Sequence, residues 1–290
     1  MAQRANQHKP SREFYDLSER LLNSGDAYWG NLGYWQTGSD YSSACEALAH
    51  QLAIKVGLGA SSRIFDAGFG CGDQLLLWSE YYQVEFLCGI NYSTSQTAVA
   101  QQRLAKSGTQ GHFAQYIMEG DVTNNLLLTD LLTNKHHTVN TVLALDCAYH
   151  FPSRNTFFND SFHILDKNGK GGCIGLTDIV LANPHLSWLK RKVLNTMLGL
   201  SKIPPENIVT LERYQQQLQQ AGFQHINNQD ISEYVLEPFG RWLKSSEIAK
   251  RKLKGHRSAW LKYKVTAAFL GWAYRNNVLR YIVITAQAKS

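Results

Sequence analysis

The sequence lacks most of the features that mark secreted, membrane-spanning and metal-binding chains. Its 290 residues include five cysteines, which are scattered and form no C-x-x-C or paired spacing, so no disulfide framework is expected. No run of about 18 apolar residues occurs, which excludes a typical transmembrane helix. The first residues are polar and contain no apolar segment of a secretory signal. These absences predict a cytoplasmic protein with reduced thiols.

Metal ligands are also scarce at useful spacings. The pair His136-His137 has no nearby cysteine or carboxylate at ligand spacing, and it is interpreted as a loop feature. The sequence therefore predicts no metal site.

The excess of positive charge is small, at +6, and by itself it does not imply nucleic acid as a partner. The basic residues are concentrated in 241–264, where Glu247 is the single acidic residue. Three interpretations of this stretch remain open. It is either the solvated face of a helix or a weak contact with a membrane surface. A nucleic-acid contact is the least favoured interpretation, because no RNA-reading module accompanies the stretch.

What the sequence does contain is an unusual glycine turn at residues 63–73, Arg-Ile-Phe-Asp-Ala-Gly-Phe-Gly-Cys-Gly-Asp. An apolar strand precedes this turn and an apolar helix follows it. Gly68, Gly70 and Gly72 alternate, which permits positive φ angles and lets a ligand lie against bare backbone. The N–H groups at the start of the following helix then face the ligand. A dinucleotide fingerprint would need glycine at Asp73, so the turn indicates a nucleotide-type site of another kind.

The pattern D-x-G-x-G-x-G resembles the first motif of class I S-adenosylmethionine-dependent methyltransferases. Four further matches follow in order. They are the passage Gly-Ile-Asn-Tyr-Ser-Thr-Ser-Gln at 89–96, the strand-ending Gly-Asp at 120–121, the fourth strand with its loop at 141–151, and the entry to a fifth strand at 165–176. The chain is thus similar to the small-molecule branch of that family, which includes tocopherol, sterol, phosphoethanolamine and glycine methyltransferases.

The resemblance implies an α/β fold, namely a Rossmann-like, doubly wound, seven-stranded sheet with an antiparallel last strand and a helical lid. The expected boundaries are an N-terminal helical lid at 1–60, the cofactor-binding core at 61–181, a lid insertion at 182–210, the core continued at 211–235, a helical lid insertion at 236–278, and a final core strand at 279–290.

The resemblance also implies S-adenosylmethionine as the cofactor. Asp66 would orient the glycine turn and the methionine amino group, although a strand-end carboxylate that only caps backbone remains an alternative. Asn91 stands where the family usually has an acidic residue for the ribose hydroxyls, and its amide can both donate and accept. Asp121 would contact the adenine amino group and Val122 its ring. The complete predicted set is Asp66, Gly68, Gly70, Gly72, Gln74, Asn91, Tyr92, Gln96, Asp121, Val122 and Leu145.

The segment from Asp146 to His150 follows the fourth strand, where the family positions residues at the methyl acceptor. Methyl transfer from a sulfonium requires alignment and, for a hydroxyl acceptor, removal of a proton. His150 has the side-chain type of a general base near neutral pH. Asp146, four residues earlier, would fix its tautomer from one helical turn away. The alternative, that His150 only lines the pocket or caps a helix, stays open.

Aromatic residues are predicted to shape the acceptor pocket, because aromatic faces suit both a sulfonium and a flat apolar acceptor. Packing in the core of the N-terminal helices is the competing interpretation for some of them. The predicted acceptor-binding residues are Tyr28, Trp29, Tyr34, Trp35, Tyr149, Trp188, Phe239 and Trp242.

The predicted function is methyl transfer to a small, largely apolar or aromatic acceptor in secondary metabolism. O-methylation is favoured and C-methylation comes next. N-methylation of a small amine is an alternative. A nucleic-acid methyltransferase is less favoured, because Leu-Asp-Cys-Ala-Tyr-His replaces the N-P-P-Y type motif after the fourth strand. A binding module that has lost turnover is a further alternative.

Overall fold

The computed structural model describes residues 17–36, 40–124, 138–165, 171–247 and 256–288. Its centre is a sheet of seven strands: β1 (Arg63–Ala67), β2 (Phe86–Asn91), β3 (Ile117–Glu119), β4 (Thr141–Leu145), β5 (Cys173–Leu181), β6 (Phe223–Asp230) and β7 (Leu279–Ala288). Their order in the sheet is β3-β2-β1-β4-β5-β7-β6. The first five strands pair in parallel, and β7 pairs antiparallel with both β5 and β6. The predicted fold class is therefore confirmed.

The helices pack on both faces of this sheet and above its carboxyl edge. The α-helices are α1 (Tyr41–Val56), α2 (Asp73–Leu76), α3 (Thr94–Ala105), α4 (Arg154–Ile164), α5 (Trp188–Leu200), α6 (Leu211–Ala221), α7 (Ser232–Val235), α8 (Pro238–Ser245) and α9 (Arg257–Arg275). A π-helical turn, Leu77–Tyr81, continues α2. Short 3-10 helices cover Leu17–Leu22, Gly108–Tyr116, Ala148–His150 and Pro205–Asn207.

Local sequence signals explain several helix ends. The Asp40 side chain accepts a hydrogen bond from the Ser43 N–H and caps α1, which ends at Gly57 in the left-handed conformation. The Ser93 hydroxyl caps α3 in the same way. Of the predicted N-terminal lid, residues 1–16 and 37–39 lie outside the described residues.

The parallel strands other than β3 are buried along nearly their whole length. Every residue of β2 and β4 is buried, because helices cover both faces of a doubly wound sheet. Next to β5, a buried ion pair joins the Arg154 guanidinium to the Asp178 carboxylate at 3.0 Å. The Tyr214 hydroxyl donates to the same carboxylate at 2.9 Å. Breaking such a pair leaves a buried charge and costs about 3–5 kcal/mol, so it fixes α4 and α6 against β5.

No helix in the described ranges is long and apolar enough to cross a membrane. Within those ranges, no group of three or more histidine, cysteine, aspartate or glutamate residues is arranged to hold a metal ion. His136 and His137 lie outside the described residues, as do residues 248–255 of the basic stretch. The predicted domain boundaries stay a prediction.

Candidate active site

A cavity of about 930 Å³ lies at the carboxyl edge of β1, β2 and β4, where an open α/β sheet places its ligands. One side of it is built by the glycine turn and by the loops that follow β2 and β3. The other side is built by α5, α9 and the segment between α5 and α6. The volume is near the upper end for small-molecule sites, which span ~300–1,000 Å³.

The glycine turn has the positive φ angles that its sequence predicts, at 77° for Gly68, 56° for Gly70 and 88° for Gly72. A Cβ at Gly68 would lie 2.8 Å from the Cys147 sulfur, and one at Gly72 would lie 2.9 Å from the Ala100 Cβ. A Cβ at Gly70 would meet no atom within 4 Å, and Gly70 lines the cavity. Gly68 and Gly72 are therefore required for packing, whereas Gly70 leaves a cradle open to a ligand.

Asn91, at the end of β2, holds this turn in place. Its Oδ1 accepts a hydrogen bond from the Gly70 N–H at 3.1 Å. Its Nδ2 donates to the Thr97 hydroxyl at 3.2 Å, which ties the turn to α3. The amide uses both its donor and its acceptor, which a carboxylate could not do. Asparagine at this position thus has a structural reason in addition to its predicted ribose contact.

Asp66 is fully buried and does not belong to the cavity wall. Its carboxylate accepts hydrogen bonds from Gln74 Nε2 at 2.8 Å and Trp78 Nε1 at 2.6 Å. Burial raises the pKa of Asp66 to about 7, and these two hydrogen bonds oppose the rise. Gln74 does line the cavity, so Asp66 acts on the site by orienting Gln74.

An ion pair next to the glycine turn was not predicted. The Asp73 carboxylate accepts from both Nη1 and Nη2 of Arg103, at 2.7 and 2.9 Å, and from the Tyr28 N–H at 3.1 Å. The Arg103 guanidinium lies over the Tyr28 ring, 4.9 Å from its centroid. Tyr28 is thereby fixed at the cavity wall. The sequence shows an acidic residue, Asp73, in the first turn of α2, but it does not show that its partner is Arg103, 30 residues later.

The remaining predicted cofactor residues all line the cavity: Tyr92, Gln96, Asp121, Val122 and Leu145. Asp121 Oδ1 accepts from the N–H and the hydroxyl of Thr123, at 2.8 and 2.7 Å, which fixes the turn after β3. Val122 is buried and Tyr92 is exposed at the rim. The structure therefore brings nine of the eleven predicted cofactor residues to the cavity wall. The other two, Asp66 and Gly72, lie outside it.

Asp146 directly follows β4 and has a positive φ of 55°. Its carboxylate accepts from the Leu32 N–H at 2.7 Å, the Tyr149 hydroxyl at 2.9 Å and the Tyr281 hydroxyl at 2.6 Å. Among the described contacts, none of these donors belongs to His150, so the predicted pairing of the two side chains is not formed. The reason is local, because Ala148–His150 is a 3-10 turn, in which residues three apart are aligned. Tyr149 therefore takes the place predicted for His150.

Burial raises the pKa of Asp146 to about 7, although its three hydrogen-bond donors act in the opposite direction. A bound cation would stabilise the ionised carboxylate and lower that pKa. By linkage, the affinity for a cation must then rise as the pH rises through about 7.

We expect the preference for S-adenosylmethionine over S-adenosylhomocysteine, which lacks the sulfonium charge, to increase about fivefold or more across this range. Calorimetric titration of both ligands near pH 6 and near pH 8 measures it. Asp146→Asn is the reference, because the ligands' own titration is the same with both proteins. The ratio should rise more with pH in the native protein than in Asp146→Asn, and an equal rise in both would contradict the role of this carboxylate.

His150 lines the cavity. Burial, and to a smaller extent the positive charge of Lys262, lower the pKa of His150 to about 3. The imidazole is thus neutral throughout the physiological range. Asn207 holds its segment, because Nδ2 donates to the carbonyls of Tyr149 and Phe151 at 3.2 and 2.7 Å. Asn207 was not predicted, since the contact joins residues more than 50 positions apart.

The predicted acceptor residues divide into two groups. Tyr28, Trp29, Tyr149 and Phe239 line the cavity. Four others lie outside its wall, and an acceptor contact for them stays a prediction: Tyr34, Trp35, Trp188 and Trp242.

Three of these four side chains are outside the cavity wall because they pack against other rings, and the fourth, Trp188, because it is exposed to solvent. The Trp35 and Trp242 rings lie 5.3 Å apart in an aromatic cluster, and the Tyr34 ring packs 5.0 Å from that of Tyr234. Trp188 is 71% exposed on α5. Aromatic content near a motif indicates a pocket but does not say which rings face it.

Much of the wall on the α5 and α9 side was not predicted. It is mainly aliphatic or aromatic and includes Met197, Leu198, Ile203, Ile208, Tyr263, Phe269 and Leu270. Lys202 and Lys262 also line it. The helical spacing of these side chains resembles ordinary core packing, and only the placement of α5 beside α9 shows that they share a cavity.

Comparison with known proteins agrees with the geometry of the site. No family model matches the chain. It is 30% identical over 220 residues to the erythromycin 3''-O-methyltransferase of Saccharopolyspora erythraea, covering 74% of this chain and 68% of that one. It is 26% identical over 280 residues to the 27-O-demethylrifamycin SV methyltransferase of Amycolatopsis mediterranei, covering 94% of each.

Among solved structures, the geranyl diphosphate C-methyltransferase of Streptomyces coelicolor in complex with S-adenosyl-L-homocysteine has the same fold. The TM-score is 0.66 at 13% identity, and the alignment covers 97% of this chain and 99% of that one.

The sheet order and the glycine-lined cavity define a class of α/β enzymes that bind an adenosyl cofactor at the carboxyl edge of the sheet. Together with these similarities, they show that the chain belongs to the S-adenosylmethionine-dependent methyltransferases. Its cofactor is S-adenosylmethionine, and its reaction is methyl transfer to a small molecule.

Proposed function

We propose that this enzyme methylates a hydroxyl group on an acceptor with a large apolar surface, in secondary metabolism. The observation that carries the proposal is the division of the cavity. The wall around the glycine turn and Asp121 is polar and suits the cofactor, whereas the wall from α5 and α9 is mainly apolar and has His150 at its edge. The two relatives above are methyltransferases of erythromycin and of a rifamycin, and both are O-directed by name.

Each part of the cofactor wall has a proposed task. The Gly70 cradle leaves room for the cofactor against bare backbone, and Asn91 fixes that backbone. Asp121 would bind the adenine amino group, with Val122 packed on the ring. Gln74, oriented by Asp66, would bind the amino-acid end. When bound, S-adenosylmethionine supplies a methyl group on a positively charged sulfur.

His150 is the proposed general base. The imidazole is neutral when the acceptor binds, so it can accept a hydrogen bond from the hydroxyl group. Its low pKa makes it a weak base in the empty cavity. Loss of the methyl group would leave the sulfur neutral, so the imidazole would take the proton without the sulfonium charge in the same cavity. The charge of Lys262 would remain beside it.

This arrangement also assigns a task to Asp146. Its carboxylate is held by two tyrosine hydroxyls and a backbone N–H, so in its ionised form it is a negative charge fixed above β4 rather than a partner of His150. Such a preorganised charge stabilises a cationic ligand without reorganisation. We therefore place Asp146 with the cofactor and His150 with the acceptor.

A panel of hydroxylated and aminated acceptors tests the proposal. Purified protein is incubated with S-adenosylmethionine and macrolide glycosides, ansamycins, phenols or small amines such as glycine. Formation of S-adenosylhomocysteine and the mass of the product are recorded, and the methylated atom is located by NMR. We expect turnover with a bulky hydroxylated acceptor and an O-methyl product. Turnover confined to small amines would overturn the proposal.

A further inference from the structure

Two helices that border the cavity expose apolar side chains to solvent. Nine large apolar side chains are exposed among the described residues, and six of them lie on α5 and α9. On α5, Leu189, Val193 and Leu200 recur at helical spacing on the side opposite to buried Leu194 and Leu198. The exposed apolar surface is therefore concentrated on one structural unit rather than scattered.

Helix α9 has the same two-sided pattern. Leu261 and Val265 are exposed, whereas Tyr263 and Leu270 on the other side are buried. Leu200, Leu261 and Val265 also line the cavity, so these exposed side chains surround its mouth. The Lys190 ammonium donates to the Asn276 carbonyl at 2.8 Å, which joins the start of α5 to the end of α9. The exposed sides of the two helices form what we call the mouth face.

The charge of the mouth face has one sign. Neither α5 nor α9 contains an aspartate or a glutamate. Helix α5 carries Lys190, Arg191 and Lys192 next to its apolar stripe, and α9 carries Lys262 and Lys264. Arg275, at the end of α9, forms an ion pair with Glu237 and does not add to this excess. A ligand for this face must therefore combine negative charge with an apolar interior.

We propose that the mouth face docks on the surface of an anionic lipid bilayer. Lysine and arginine beside exposed tryptophan and leucine on one helix are typical of segments that lie in a membrane interface, and anionic lipids attract such clusters. A second copy of the chain does not fit, since its own mouth face would oppose lysine with lysine. An acidic protein is a poorer match, because lysine is depleted at protein–protein interfaces.

Docking in this orientation would place the cavity mouth against the lipid. An apolar acceptor could then pass from the bilayer into the cavity without crossing water. This consequence rests on the proposed apolar acceptor, whereas vesicle binding does not depend on it. The sequence-based prediction put a membrane contact at 241–264. The mouth face shares Leu261, Lys262 and Lys264 with that stretch and adds α5.

Co-sedimentation with vesicles tests the proposal. Vesicles of phosphatidylcholine alone are compared with vesicles that contain about one third phosphatidylglycerol. We expect binding to the anionic vesicles that weakens at high salt, as screening requires. The double variant Leu189→Gln/Val193→Gln should weaken it at least about tenfold, since both side chains leave the lipid. Lys192→Glu should reduce the preference for anionic lipid.

Helix α1 provides the matched controls, because Ile54 and Lys55 are an exposed apolar and basic pair away from the cavity. Ile54→Gln and Lys55→Glu should leave vesicle binding unchanged. The affinity for S-adenosylhomocysteine should be the same in all variants, which verifies folding. Absence of binding to anionic vesicles would overturn the proposal, and so would equal losses in the α1 and α5 variants.

Discussion

Replacing Gly70 with valine should lower the affinity for S-adenosylmethionine at least about 100-fold, or ~2.7 kcal/mol. The Cβ of residue 70 would enter open cavity space and touch no protein atom, so the added side chain would occupy the cradle instead of disturbing the core. Calorimetric titration of the native protein and the variant measures the loss. Retained binding would mean that the cofactor does not lie against this turn.

The variant also strains the backbone, because Gly70 has a φ of 56°. Gly57 is a matched control. It ends α1 at a φ of 68°, and a Cβ there also meets no atom within 4 Å. Both Gly70→Val and Gly57→Val should lose about 1–2 kcal/mol of unfolding free energy from the left-handed conformation. Only Gly70→Val should lose cofactor affinity, which separates occupation of the cradle from loss of stability.

Replacing His150 with alanine should lower turnover about 100-fold or more, as expected for loss of a general base. The affinity for S-adenosylmethionine should change little, because the glycine turn, Asn91 and Asp121 are untouched. Steady-state kinetics with an acceptor found in the panel, together with calorimetry, measure both quantities. His163→Ala on α4 is the control, since that histidine does not line the cavity.

The kinetic pattern distinguishes the two interpretations of His150. A base acts in the transition state, so its loss should reduce kcat and kcat/KM together, whereas loss of a wall residue should mainly raise KM. Turnover of the alanine variant should also recover as the pH rises, because hydroxide can then remove the proton. A rise in KM with unchanged kcat would remove His150 from the chemistry and leave it as part of the acceptor wall.

The sequence predicted those parts of the site that local patterns specify. The strand, glycine turn and helix at 63–78 form one continuous segment, and the turn conformation follows from three glycines. Asn91 ends β2 and Asp121 follows β3 by two residues, so their place at the carboxyl edge follows from the fold class. Each of these positions can be predicted from its neighbours in the sequence and from the order of the strands.

Contacts that depend on turn type or on distant segments were not predicted. Spacing alone suggested an α-helical turn between Asp146 and His150, but the segment forms a 3-10 turn and presents Tyr149 to the carboxylate. The Tyr281 hydroxyl reaches Asp146 from β7, 135 residues later. Trp35 and Trp242 were expected at the acceptor, yet they pack on each other. Turn type decides the first case and tertiary packing the other two, and residue spacing in the sequence predicts neither.

The position of β7 bears on how the sheet assembles during synthesis. The ribosome delivers β1 to β5 first, and their parallel pairs can form as each crossover helix emerges. Strand β6 then leaves the exit tunnel before its neighbour in the sheet exists, because β7, more than 40 residues later, lies between β5 and β6. Until β7 inserts, both β5 and β6 expose an unpaired edge, which is the usual starting point for aggregation. The interval between making β6 and making β7 is therefore when a nascent chain of this fold most needs a chaperone.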